Sequence, residues 1–136
     1  MIKELYEFFK TCPLLDGSLI NIDYLGSKSG GFTIETLPCE PIIKRYYTGG
    51  CLRQYCFVLA LRRPYTGSVA ENLKNEQLCE ELAEWVEECS QSGNLPKLPQ
   101  GEAAQGLEVT SGGYLFDEAT NQARYQIGFR LIYTKI

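Results

Sequence analysis

The sequence predicts an α+β fold: a mainly antiparallel β-sheet packed with an amino-terminal helix and one longer helix over about residues 75–91. Three observations predict it. Short stretches of alternating apolar and polar residues follow one another along the chain, helical periodicity appears in few segments, and Gly or Pro marks most of the joins. The chain has 136 residues, 44% hydrophobic and 22% charged, so a single domain over 1–136 is expected, large enough to fold without disulfides or metal.

Each element has its own signal. Ile2, Leu5, Phe8 and Phe9 place one apolar stripe on a short helix, which Pro13 stops and Asp16-Gly17 turns. Ile20, Ile22 and Tyr24 alternate with polar residues as in a half-buried strand. The Gly- and Ser-rich stretch Gly26 to Gly31 then predicts a hairpin tip, with Phe32 to Leu37 returning as the second strand. A third strand is expected over Ile42 to Tyr47, after the kink bracketed by Pro38 and Pro41. Gly49-Gly50 is the sharpest hairpin signal in the chain.

Leu52 to Arg62 is the longest strand candidate. Its centre is apolar on both faces, which predicts a central strand covered by helices or by a neighbouring subunit. Ser68 and Glu71 match a capping box that can start a short helical turn. The main helix follows, with Leu78, Leu82, Trp85, Val86 and Cys89 on one face and a stop at Gly93-Asn94. Leu107 to Ser111 is expected as a strand, Gly112-Gly113 as a turn or bulge, Tyr114 to Phe116 as an extension, and Asp117 to Gln122 as a polar loop. In the closing strand Tyr125, Ile127, Phe129, Leu131 and Tyr133 share a face.

Composition narrows the chemistry. The chain has no histidine, which removes the standard Ser/His/Asp and Cys/His nucleophile arrangements. The six cysteines, Cys12, Cys39, Cys51, Cys56, Cys79 and Cys89, contain no C-x-x-C pair, so zinc-knuckle spacing is absent and reduced thiols are expected. The amino terminus lacks the unbroken apolar stretch of a signal peptide, and no run approaches the roughly 20 apolar residues of a membrane helix. A formal charge of −4 disfavours nucleic acid and anionic membranes as partners. No enzymatic activity and no cofactor are expected; the glutamates of the main helix read as its solvated face.

Charge is also distributed unevenly. From Pro41 to Ala70 there are five basic residues, Lys44, Arg45, Arg53, Arg62 and Arg63, and no acidic one. From Glu71 to Glu88 there are seven glutamates against the single Lys74. Either the two stretches neutralise each other within the fold, or the basic hairpin of one subunit meets the acidic helix of the next. The second arrangement is heterologous and can close into a ring. The candidate subunit interface is therefore Lys44, Arg45, Tyr46, Tyr47, Arg62, Arg63 and Tyr65 on one side, with Glu80, Glu84, Glu87 and Glu88 on the other. Tyrosines beside a hairpin tip suit interface anchors.

Several segments, in order along nearly the whole chain, complete the reading. They are Phe8-Phe9-Lys10-Thr11-Cys12-Pro13 with Leu15-Asp16-Gly17, and Leu37-Pro38-Cys39 leading into Pro41-Ile42-Ile43-Lys44-Arg45-Tyr46. Further along come Arg53-Gln54-Tyr55, Ala83-Glu84-Trp85-Val86-Glu87-Glu88, Gly93-Asn94-Leu95-Pro96 and Ala123-Arg124-Tyr125-Gln126-Ile127. Together they resemble a family of prophage-encoded minor capsid or minor tail proteins of tailed phages. The resemblance implies a structural virion protein at the head–tail junction, of tail-terminator, tail-completion or other connector type. It implies a homo-oligomeric ring, commonly hexameric, contacting neighbouring tail or head-connector proteins. It also implies assembly in the host bacterial cytoplasm and residence in the virion. The alternative from another class is a small host-derived regulatory module that binds one protein partner.

Overall fold

A computed structural model describes residues 1–15, 20–22, 31–64, 69–119 and 122–136. The chain runs through helix α1 (Ile2–Phe9), a 3-10 turn (Pro13–Leu15), strands β1 (Ile20–Ile22), β2 (Phe32–Thr36), β3 (Ile42–Arg45) and β4 (Cys51–Pro64), helix α2 (Val69–Ser92), and strands β5 (Glu102–Ala119) and β6 (Gln122–Lys135). The strands form one mixed six-stranded sheet in the order β1-β2-β4-β6-β5, with β3 also paired to β4. The fold is α+β.

Both helices lie on one face. Antiparallel partners place their side chains on the same side of a sheet, so the register sorts the residues. Phe32 and Ile34 stand opposite Leu61 and Leu59, and Leu59 and Phe57 stand opposite Ile127 and Phe129. These side chains meet Leu5, Phe8 and Phe9 of α1 and Cys79, Leu82, Val86 and Cys89 of α2 in one buried cluster. Phe9 is its hub, with ring centroids 5.4 Å from Phe8, 6.0 Å from Phe57, 5.9 Å from Phe129 and 6.1 Å from Trp85. The closing strand behaves as its alternation predicts: Tyr125, Ile127, Phe129, Leu131 and Tyr133 are all buried.

The other face explains the strand that is apolar on both sides. Val58 and Ala60 point away from the helices and are still buried. Arg124 of β6 pairs with Glu35 of β2. Since β4 lies between those strands, the pair spans it above the small side chains. A short Val58-Ala60 row beside Gly128 leaves room for this bridge. The central strand is thus covered by helices on one side and by its own neighbours' polar side chains on the other.

Several elements depart from expectation. β1 and β2 pair in parallel, with Ile20 opposite Phe32 and Ile22 opposite Ile34, and do not form the expected antiparallel hairpin. Period-two alternation assigns faces but carries no strand direction. The expected tip at Gly26 to Gly31 falls outside the described residues except for Gly31. α2 begins at Val69, six residues before the expected start at Asn75. No Gly or Pro separates Glu71 from Asn75, so nothing interrupts the helix there. Its most buried positions are Cys79, Leu82, Val86 and Cys89, with Leu78 only partly buried. The helix ends as predicted: Gly93 has φ +80°, Asn94 N–H donates to Cys89 O at 2.8 Å, and Gly93 N–H donates to Ser90 O at 3.3 Å. That is a Schellman stop.

The longest strand is β5, with 18 residues against 14 for β4. Gly112-Gly113 lies in a bulge between Ser111 and Tyr114, so the strand bends and continues through Asp117 to Ala119, in place of the expected polar loop. β3 closes at Arg45, two residues short of Tyr47, because the hairpin turn already begins at Tyr46.

Candidate interaction surface

The basic side of the surface is built by the β3–β4 hairpin. Tyr46 N–H donates to Gly50 O and Gly49 N–H donates to Tyr46 O, both at 3.2 Å, which closes the tip. Gly49 and Gly50 take φ values of +97° and +79°, a region open to glycine at little cost. β3 pairs only with the start of β4, Ile42 opposite Arg53 and Arg45 opposite Cys51. Lys44, Arg45, Tyr46 and Tyr47 are all exposed, Tyr47 completely, and Lys44 Nζ sits 5.7 Å from the Tyr46 ring centre. Ile43 joins them at 44% exposure. Sequence reasoning does not single it out, although a short edge strand must turn one of two adjacent isoleucines to solvent.

The acidic side is the outer face of α2. Glu80, Glu84, Glu87 and Glu88 lie along it, all exposed, while Cys79, Leu82, Val86 and Cys89 point to the core. Glu87 also borders a shallow groove of about 340 Å³ against Leu107, Glu108 and Val109 of β5. α2 packs over β5 and β6, whereas β3 pairs with the edge of β4 turned away from β6. The basic hairpin and the acidic helix therefore sit towards opposite sides of the sheet. Among the described residues no ion pair joins Lys44 or Arg45 to these glutamates. Of the remaining candidates, Arg62 and Arg63 lie in the far half of β4, opposite Arg124 and Ala123, away from the hairpin tip. Tyr65 lies outside the described residues.

The open face of the sheet carries a second polar assembly that the sequence does not announce. Arg130 donates through Nε to Glu108 at 3.1 Å and through Nη1 to Gln54 at 3.2 Å. Gln54 in turn donates to the Glu40 carbonyl at 2.7 Å. The network ties β5, β6 and β4 to the β2–β3 connection. Its members are scattered over the chain, so only strand register could reveal it.

A cavity of about 540 Å³ lies between α1 and the segment after α2, with Lys3, Glu4, Glu7, Phe8, Leu95 and Pro96 on its walls. Glu4 is held below the usual carboxylate range, chiefly by a backbone hydrogen bond, so it is ionised at neutral pH. Among the described residues no cluster of three or more Cys, Asp or Glu is placed to hold a metal ion, and no helix is long and apolar enough to cross a membrane.

Models of known protein families and curated proteins yield no match to this chain. Its surface must therefore be read from its own chemistry.

One titration follows from the thiols. Burial, and then the neighbouring Cys39 thiol, push Cys56 up from 9.0 to about 11. A folded pKa above the unfolded one means that the folded chain retains a proton the unfolded chain releases, so stability falls as pH rises through this window. The contribution is complete below about pH 9 and lost towards pH 11. Melting temperatures recorded from pH 8 upward should decline, and less steeply in a Cys56→Ala variant. Parallel curves for the two proteins would refute the assignment.

Proposed function

We propose that the chain is a structural subunit of a tailed-phage particle, a head–tail connector of tail-terminator or tail-completion type that assembles head to tail into a ring. One observation carries the assembly mode: an exposed basic, tyrosine-bearing hairpin and an acidic helix face lie towards opposite sides of the same sheet, with no ion pair between them among the described residues. Complementary patches on opposite sides of one subunit cannot satisfy each other within it. They can do so between copies, and repetition of a heterologous contact closes a ring when the rotation permits. The virion setting rests on the sequence resemblance. In that setting one ring face meets the tail tube and the other meets the head connector, and no bond is made or broken.

Charge chooses the partner and its register, while Tyr46, Tyr47 and Ile43 supply the apolar area that holds the contact. The reading is tested by mass in solution as a function of ionic strength. The expected result is a ring, six subunits if the resemblance holds, that dissociates as salt screens the charges. The double variant Lys44→Glu, Arg45→Glu should be monomeric, and adding Glu84→Lys and Glu88→Lys should restore the ring. A chain that remains monomeric at every ionic strength would refute the ring and favour a binding module with a single protein partner. A ring unaffected by the reversals would refute this interface.

A further inference from the structure

The segment between β2 and β3 runs along the edge of β4 and is fastened to it at both ends. Leu37 N–H donates to Cys56 O at 2.9 Å, and Gln54 N–H donates to Pro41 O at 3.0 Å. Two residues of β4 thus face a five-residue span whose midpoint is Cys39. A third tie, from Gln54 Nε2 to Glu40 O at 2.7 Å, holds the span from its far side. The consequence is proximity: the fastened span sets Cys39 beside Cys56 at the edge of β4, near enough for its thiol to help push that of Cys56 up. Cys39 is exposed, Cys56 is half-buried, and Arg130 lies opposite Cys56 on β6.

No other thiol competes. Cys12, Cys79 and Cys89 are buried in the core, and Cys51, an odd number of residues from Cys56 on β4, points to the other face of the sheet.

We propose that Cys39 and Cys56 are a redox-active pair that closes to a reversible intramolecular disulfide, with exposed Cys39 attacking first and Cys56 resolving. The oxidant is a low-molecular-weight disulfide, RSSR. The Cys39 thiol gives its proton to solvent, and the thiolate attacks one sulfur of RSSR. A Cys39–SR bond forms, the S–S bond of RSSR breaks, and the departing thiolate takes up a proton. Cys56 then loses its proton and attacks Cys39 Sγ, expelling the second R group as thiolate, which is protonated in turn. Two protein thiols are oxidised to one disulfide and RSSR is reduced to two RSH. Burial and the neighbouring Cys39 thiol hold Cys56 protonated, with the Arg130 guanidinium opposing them only in part, so exposed Cys39 attacks first and Cys56 resolves. The bond closes a loop that contains β3 and the hairpin tip, so the oxidised form should also melt at a higher temperature.

The test uses the full chain, folded, with oxidised glutathione as the oxidant. Free thiols are then blocked with iodoacetamide and the digest is mapped by mass spectrometry. The expected result is a cross-linked peptide joining Cys39 to Cys56 in a monomeric product, reversed by dithiothreitol. Cys39→Ser should abolish the cross-link, and Cys56→Ser should retain a single glutathione on Cys39. Finding both residues alkylated after oxidation, a cross-link to another cysteine, or only a disulfide-linked dimer would overturn the proposal. The map of the unsubstituted protein decides the matter even if a variant folds poorly.

Discussion

Phe9→Ala should destabilise the protein by about 3–5 kcal/mol, a cost set by lost burial plus the cavity left behind. Phe9 has no solvent exposure, and its ring touches both helices and both central strands: Phe8 in α1, Trp85 in α2, Phe57 in β4 and Phe129 in β6. No single neighbour can move to fill the space without abandoning another ring, because Phe57 and Phe129 are themselves stacked at 5.4 Å. Set against a total of roughly 5–15 kcal/mol for an ordinary domain, such a loss puts the variant close to unfolding. Thermal melting followed by circular dichroism should show a fall of about 10–20 °C. Tyr47→Ala, at a fully exposed position, should stay within about 0.5 kcal/mol of the parent. A Phe9→Ala protein that melts with the parent would mean that the two helices do not pack on this sheet around Phe9.

Gly50→Val should cost about 2–4 kcal/mol and should also weaken self-association, because two effects add at this position. The backbone at Gly50 has φ +79°, where a side chain is disfavoured by about 1–2 kcal/mol. A Cβ at this position would also stand 2.9 Å from the Lys135 carbonyl oxygen, a backbone atom that can retreat only by shifting the end of β6. Gly49 separates the two contributions. It has φ +97°, and a Cβ added there would meet nothing within 4 Å, so Gly49→Ala should show the conformational cost alone. Denaturant unfolding of both variants measures the difference. The Gly50 substitution should also displace the tip that presents Lys44, Arg45, Tyr46 and Tyr47, so the proposed salt-sensitive assembly should weaken in step. Equal stabilities for Gly50→Val and Gly49→Ala would rule out the close approach to β6.

Much of the candidate surface is legible in the sequence. The charge reversal between Pro41–Ala70 and Glu71–Glu88, and the Gly49-Gly50 turn that presents the tyrosines, are properties of local sequence. The separation of the two patches is not legible there, because adjacency along the chain says nothing about which sides of a sheet the two stretches occupy. The thiol pair is equally hidden. Cys39 and Cys56 follow no ligand or redox spacing, and they are brought side by side only because hydrogen bonds at Leu37 and Pro41 fasten the intervening segment to β4.

The sequence alone determined the α+β class, the alternating face of β6, the apolar stripe of α1, the stop of α2 at Gly93 and the central placement of β4. Each of these follows from periodicity or turn chemistry within a few residues, where local forces decide. Tertiary structure alone decided the parallel pairing of β1 with β2, the continuation of β5 through Asp117 to Ala119, the Glu35–Arg124 bridge over β4 and the approach of Cys39 to Cys56. All of these depend on which distant strands share an edge, and strand pairing is governed by backbone hydrogen bonds that every residue can accept and every residue except proline can donate.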